Sequence, residues 1–113
     1  MEFNEVKIEI FIPEEYIETL RDELNNIHAC KVGNYDNCLS YSTVKGYWRP
    51  LDNATPFDGE KIGQICEGQE CKVEIRCKQD IVKDTLTIIN RIHPYETPMI
   101  YIMPLLNEYF GQV

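Results

Sequence analysis

Apolar residues occupy every second position near the start of the chain. They are Val6, Ile8, Ile10 and Ile12, with charged or aromatic residues between them. A period of two is typical of a β-strand that buries one face. Pro13 predicts the end of this strand and the start of a helix, because proline suits a first helical turn and the acidic Glu14 and Glu15 suit its positive end.

The spacing of apolar residues then changes to three and four. The positions in this segment are Ile17, Leu20, Leu24 and Ile27. This spacing predicts an amphipathic helix, which ends before the turn-forming pair Gly33-Asn34. Alternate apolar and aromatic positions then predict a second strand that reaches about Trp48. Its alternate positions are Leu39, Tyr41, Thr43 and Tyr47.

Residues 50–69 are rich in turn formers. These are Pro50, Asp52-Asn53, Pro56, Asp58-Gly59, Gly63 and Gly68. Their density predicts a long loop, with Lys61 to Cys66 as a candidate short edge strand. A loop of this length in a compact domain usually contributes to function.

The last part of the chain repeats the strand and helix patterns. Val73, Ile75 and Cys77 predict a third strand with a charged outer face, and Asp80 is a candidate cap for the next helix. The buried stripe of that helix is predicted to be Val82, Leu86, Ile89 and Ile92. Pro94 ends the helix at or before the preceding residue. The segment 99–106 is apolar on both faces, so this last strand is expected to be central in the sheet or covered by a partner.

The predicted order is strand, helix, strand, strand, helix, strand. This order favours an α+β fold, the ferredoxin-like βαββαβ sandwich with an antiparallel sheet and two helices on one face. The 113 residues fit a single domain, 1–113. In this topology Pro13, the 50–69 loop and the turn after the second helix share one end of the sheet, and residues 33–36 lie at the other.

Charge and cysteine content narrow the possible partners and the location. Nineteen acidic residues against 11 basic ones give a formal charge of −8, which disfavours nucleic acid and anionic membrane surfaces. The N-terminus lacks a signal-peptide pattern, so a cytoplasmic location is expected. Five cysteines without a C-x-x-C pair predict reduced thiols, and neither a disulfide framework nor a structural zinc site.

The segment His93-Pro94-Tyr95-Glu96 is the first candidate site. Proline in second position favours a type I turn, whose first and fourth Cα atoms lie within about 7 Å. The imidazole of His93 and the carboxylate of Glu96 can therefore approach one divalent metal ion, although two ligands do not complete a site. The missing ligands would come from the long loop, for instance Asp52 or Asp58, or from a neighbouring subunit. Alternatively, His93 and Glu96 stabilise the turn and the helix C-terminus.

Two further clusters are candidate sites. In the segment 33–38, Tyr35 and Asp36 either bind a ligand or form a purely structural turn. In the segment 46–50, Trp48 and Arg49 either bind a small ligand by stacking and by ion pairing, or form a subunit interface. Cys38 has little reason to have a lowered pKa, so no catalytic residue is assigned.

These clusters, in this order, resemble the PII-like domain of bacterial YqfO-type proteins in the NGG-interacting-factor-three family, which also occurs as small free-standing proteins. The matching segments are Gly33-Asn34-Tyr35-Asp36 with Cys38, Gly46 with Arg49-Pro50, Pro56-Phe57 with Gly59, and His93-Pro94-Tyr95-Glu96 with Pro98. The resemblance implies a ferredoxin-like fold related to the trimeric PII signalling proteins and to CutA, the divalent-cation-tolerance protein. It also implies ligand sites between subunits, beside the loop after strand two and the turn before strand four.

We therefore expect a homo-oligomeric PII/CutA-like binding or regulatory protein, most simply a trimer. A small ligand or divalent metal would be bound near His93 and Glu96, with Tyr35, Asp36, Trp48, Arg49 and Tyr95 as ligand-binding candidates. A metal-assisted hydrolase that uses Tyr95 or Asp36 as acid or base is an alternative. A third possibility is a protein-interaction module that docks through Trp48 and the long loop.

Overall fold

The computed structural model describes residues 2–57 and 61–113. Its strands are β1 (Glu5–Ile12), β2 (Ser40–Trp48), β3 (Cys66–Lys78) and β4 (Ile100–Leu105). Its α-helices are α1 (Ile17–Asn26) and α2 (Val82–Ile92), each preceded by a short 3-10 turn, at Glu14–Tyr16 and Gln79–Ile81. The predicted order of strands and helices is confirmed. Neither α-helix in the described part of the chain has the length and apolar composition of a membrane span.

The four strands form one antiparallel sheet in the order β2-β3-β1-β4. Ile8 of β1 pairs with Ile75 of β3 on one side and with Ile102 of β4 on the other. The predicted α+β, ferredoxin-like fold is confirmed. β4 is an edge strand, so of the two alternatives for its apolar faces the central position is excluded. That a partner covers its second apolar face remains a prediction.

The core lies between the helices and one face of the sheet. Alternate residues of β1 and β3 are buried there with Leu20 and Leu24 of α1 and Ile89 of α2. Burying each of these large aliphatic side chains contributes about 1.5–3 kcal/mol. The opposite face of the sheet is charged, and includes a two-point ion pair in which Arg76 donates to Glu5 at 2.9 Å.

The ribbon formed by β2 and β3 extends beyond the rest of the sheet. Pairing of β1 with β3 ends where Ile12 faces Cys71, whereas β2 continues along β3 until Trp48 faces Cys66. We call the projecting part, residues 44–48 and 66–70, the arm. Residues 66–69, predicted as loop, are therefore strand, and the predicted edge strand from Lys61 to Cys66 is wrong.

Gly68 explains why residues 66–69 were predicted as loop. It was counted as a turn former, but in the structure it lies within a strand. It pairs with Gly46 across the arm, and the indole ring of Trp48 packs over it. A Cβ atom at position 68 would lie 2.8 Å from the Cη2 atom of Trp48, closer than real contacts allow. Glycine is thus required here by packing against an aromatic ring, a role that glycine plays in strands where another group approaches the backbone closely.

The predicted cap of the second helix is also wrong. Asp80 lies inside the 3-10 turn, and the cap residue of α2 is Ile81, which makes no side-chain capping bond. Instead the hydroxyl of Thr85 donates to the carbonyl of Ile81 at 2.7 Å. The helix ends as predicted, with extended backbone at His93 immediately before Pro94.

Candidate functional site

A cleft of about 400 Å³ lies between the arm, the loop that follows it and the turn after α2. Four of the predicted site residues line it together: Trp48, Arg49, Tyr95 and Glu96. The other residues of its wall are mainly apolar: Phe11, Gly46, Tyr47, Pro50, Leu51, Ala54, Thr55, Pro56, Phe57, Glu70, Thr97 and Met99. We call this cleft the arm pocket. Its position confirms that the long loop and the turn share one end of the sheet.

Two contacts hold the loop against the turn. The backbone N–H of Thr55 donates to the carboxylate of Glu96. The rings of Phe57 and Tyr95 pack with their centres 5.6 Å apart. Glu96 thus fixes one wall of the arm pocket, because a charge-assisted hydrogen bond to a backbone N–H is stronger than a neutral one.

His93 supports the turn from inside the molecule. Its side chain is buried, with 7% of the residue exposed. Because a carbonyl can only accept, Nε2 donates to the oxygen of Phe11 at 2.6 Å, and Nδ1 then accepts from the N–H of Tyr95 at 3.3 Å. Burial lowers the pKa of His93, against a smaller opposing effect of the bond to Phe11. The neutral ring therefore joins the turn to β1, and a metal ion at His93 would have to displace one of these bonds.

Glu70 is a pocket residue that the sequence did not reveal. It lies in the arm opposite Val44, and burial raises its pKa although the hydroxyl of Tyr95 donates a hydrogen bond to it. Its Oε1 atom is buried and has no hydrogen-bond partner among residues 2–57 and 61–113. Such orphan acceptors are rare in native structures. If the third strand had been predicted to begin at Cys66, the period of two would have placed Glu70 on the same face as Glu74. This part of the chain was predicted as loop instead.

The arm leaves space beside Glu70 because Gly46, which lines the pocket there, has no side chain. Gly46 and Gly68 pair on the same side of the ribbon as Trp48 and Glu70. A Cβ at Gly46 would lie 4.0 Å from Oε2 of Glu70. The backbone of Gly46 is therefore open to the pocket beside Glu70, whereas Gly68 opposite it is covered by the indole ring of Trp48.

Arg49 lies at the rim of the arm pocket and is exposed. None of the ion pairs found between described residues includes its guanidinium. Arginine at such a position can pair with a carboxylate or a phosphate.

Tyr35 and Asp36 lie far from the arm pocket, at the opposite end of the sheet. Tyr35 is 74% exposed. The carboxylate of Asp36 accepts from the side-chain amides of Asn37 at 3.1 Å and Asn25 at 3.4 Å, and Asn25 in turn accepts from the N–H of Asn37 at 2.8 Å. These bonds tie the turn to the end of α1. Asp36 is therefore not beside His93, as one form of the hydrolase alternative would require.

The described part of the chain brings no further metal ligands together at the turn. Among the described residues, no group of three or more His, Cys, Asp or Glu side chains is arranged to hold a metal ion. Asp52 is exposed and does not line the arm pocket. Asp58 and the matching Gly59 lie outside the described residues. The assignment of His93 and Glu96 as metal ligands stays a prediction.

The five cysteines are free thiols. Burial, with smaller effects of Cys38 and Cys77, raises the pKa of Cys30 to about 11. Such a thiol stays protonated and inert at neutral pH.

Known proteins are similar to this chain in sequence. Residues 61–110, which include part of the arm, α2 and β4, match the model of a family described as CutA1 divalent ion tolerance protein. The chain is 36% identical over 102 residues to a GTP cyclohydrolase 1 type 2 homolog of Staphylococcus epidermidis, covering 90% of this chain and 28% of the relative. A homolog of the same name in Bacillus subtilis is 32% identical over 99 residues, covering 88% and 26%.

Solved structures with the same fold include a NIF3-related protein and CutA proteins. A Bacillus cereus protein related to NIF3 superposes with a TM-score of 0.77 at 23% identity, covering 91% of this chain and 26% of that one. The periplasmic divalent cation tolerance protein CutA of Archaeoglobus fulgidus superposes with a TM-score of 0.66 at 17% identity, covering 89% and 83%. The chain is thus similar in sequence to CutA1 over residues 61–110 and to the GTP cyclohydrolase 1 type 2 homologs, and it shares the fold of CutA and of the NIF3-related protein.

This CutA-like chain spans between 25% and 28% of the length of the curated relatives it matches. In contrast, it covers 83% of the Archaeoglobus CutA chain. The fold resemblance inferred from the sequence motifs is confirmed.

Proposed function

We propose that this CutA-like chain is a homo-oligomeric binding or regulatory protein, most simply a trimer, that takes a small ligand or a divalent cation in the arm pocket. The observation that supports this most strongly is the pocket itself. It joins Trp48, Arg49, Tyr95 and Glu96 around Glu70, whose Oε1 atom has no partner among the described residues. Pockets with apolar walls and a few convergent polar groups are the usual form of small-molecule sites.

Oligomer formation is supported by the exposed apolar side chains of β4. This edge strand exposes 45% of Tyr101 and 43% of Ile102, one on each face of the sheet. An exposed apolar edge strand favours pairing with another chain.

We also propose a cytoplasmic location, because free thiols are typical of reducing compartments.

A divalent cation is one of the two ligand classes in this proposal. Support comes from the carboxylates of Glu70 and Glu96 in one pocket, and from the similarity of residues 61–110 to the CutA1 divalent ion tolerance proteins. Because the chain contributes few ligands, a second subunit would complete the coordination.

Thermal-shift screening against metabolites and divalent metals tests the ligand proposal. We expect at least one compound to raise the melting temperature of the wild type but not of Trp48→Ala. Tyr35→Ala is the matched control, since it removes an exposed aromatic ring far from the arm pocket. A compound that stabilises all three proteins equally would bind elsewhere, and absence of any stabilising compound would contradict the proposal.

Light scattering coupled to size-exclusion chromatography tests the oligomer. We expect a mass of three chains, and a lower mass for Ile102→Asp, because the new charge lies on the exposed edge. Thr87→Asp, on the exposed side of α2, is the control. A monomeric wild type would exclude a pocket shared between subunits, while leaving the ligand screen to decide on the arm pocket alone.

A further inference from the structure

The two carboxylates of the arm pocket are not equivalent. Glu96 already accepts a hydrogen bond from the backbone N–H of Thr55. Glu70 accepts one from Tyr95, but its buried Oε1 has no partner among the described residues. A buried acceptor without a donor costs stability, so a site that keeps one is a site where a ligand can donate. The missing group is therefore an N–H or O–H donor.

Residues 2–57 and 61–113 do not supply a cation to Glu70. On the same face of the sheet, Lys7 and Lys72 form ion pairs with Glu9 and Glu74. Among the described ion pairs none includes Glu70 or the rim residue Arg49. A half-buried carboxylate without a counter-ion attracts a positively charged guest, and the formal charge of −8 on the whole chain acts in the same direction.

The surroundings of Glu70 suit an organic guest. Rings of Trp48, Phe57 and Tyr95 form the walls, and Gly46 beside Glu70 contributes backbone without a side chain. Aromatic faces attract cations, and apolar walls bind the hydrocarbon part of a ligand. A bare metal ion instead needs several protein ligands, and the described residues contain no group of three that could provide them.

We infer that the arm pocket binds a small organic cation, an amine or amidine. Its N–H groups donate to Glu70, and its apolar part packs against Trp48 and Tyr95. This inference rests on the proposed function, because it names the ligand class of the same pocket.

Matched pairs of probes separate charge from shape. Benzamidine and benzamide are planar and nearly equal in size, but benzamidine alone is positively charged. Phenethylamine and phenethyl alcohol make the same comparison for an ammonium group. In calorimetric titration of the full chain, we expect each cation to bind about tenfold or more tightly than its neutral partner, as a charged hydrogen bond provides.

Glu70→Gln keeps the size of the side chain and removes its charge. We expect this variant to lose the preference for the cation. Glu67→Gln is the control, because Glu67 lies in the same arm on the opposite, exposed face. Circular dichroism checks that both variants fold.

Each outcome decides the inference. Cation preference in the wild type and in Glu67→Gln, lost in Glu70→Gln, supports it. Equal binding of charged and neutral probes, or a preference that survives Glu70→Gln, overturns it and leaves the arm pocket as a ligand site of another class. No binding of any probe also overturns it, and the thermal-shift screen then decides the proposed function separately.

Discussion

The two ends of the sheet both contain polar clusters, but they use them differently. At the turn of residues 33–38, Asn25, Asp36 and Asn37 bond to each other. In the arm pocket, Glu70 lies beside aromatic rings with its Oε1 unpaired among the described residues. In the sequence, both ends are recognised by the same signs, polar and aromatic residues next to turn formers. The difference shows that hydrogen-bond completion, more than residue type, separates a structural turn from a candidate binding site.

The largest expected effect is that of His93→Ala. Without the imidazole, the carbonyl of Phe11 and the N–H of Tyr95 lose their partners, so we expect a loss of about 2–4 kcal/mol in the free energy of unfolding. Urea denaturation in EDTA measures it, with the exposed His28→Asn as control. An unchanged stability in EDTA, with a loss of zinc-dependent stabilisation, would instead make His93 a metal ligand.

Asn25→Ala tests the opposite end. Its amide joins α1 to the turn through Asn37 and Asp36, so we expect the free energy of unfolding to fall by about 1 kcal/mol. Chemical shifts of the arm pocket should stay unchanged in the NMR spectrum. Asn26→Ala is the neighbouring exposed control. Shifts that spread to Trp48 would show that the two ends are coupled, and would break the comparison.

We expect Glu70→Gln to have a small effect on the free energy of unfolding. The size of this effect should depend on pH. Burial raises the pKa of Glu70 in the folded state, so the folded protein holds its proton more tightly than the unfolded chain. The wild type therefore loses stability relative to Glu70→Gln as the pH rises from about 4 through the folded pKa. Denaturation at pH 4 and pH 7 should show that the free energy of unfolding of the variant, relative to that of the wild type, is higher at pH 7 than at pH 4. A variant that is clearly less stable at pH 7 would make Glu70 a structural residue.

Tyr35→Ala should have the smallest effect. Because this side chain is 74% exposed, we expect the free energy of unfolding to stay within about 0.5 kcal/mol of the wild type. Affinity for any ligand of the arm pocket should not change. Reduced affinity would restore Tyr35 to the ligand site, and an assembly in which the turn of one subunit reaches the pocket of another would explain it.

Much of the fold follows from local patterns. The alternation of Val6 to Ile12 and the helical spacing from Ile17 to Leu24 depend on neighbours in sequence, and both predictions are confirmed. The turn after α2 also follows from local chemistry, because Pro94 ends the helix wherever it occurs.

The errors arise where distant residues decide the structure. Gly68 looks like a turn former in sequence, but the ring of Trp48, twenty positions away, requires it within a strand. Glu70 became visible as a pocket residue only when β3 was extended through it. The edge position of β4 depends on sheet order, which its own apolar residues do not specify.

The arm also has a kinetic consequence. Beyond Ile12 it is a two-stranded ribbon without a third strand among the described residues, and isolated ribbons of this kind are marginally stable in water. Backbone amides of the arm should therefore exchange with deuterium sooner than those of β1, through local opening that leaves the core intact. A guest between the arm and the turn would close this opening, so slowed exchange at residues 44–48 would report occupancy even for a ligand whose identity is unknown.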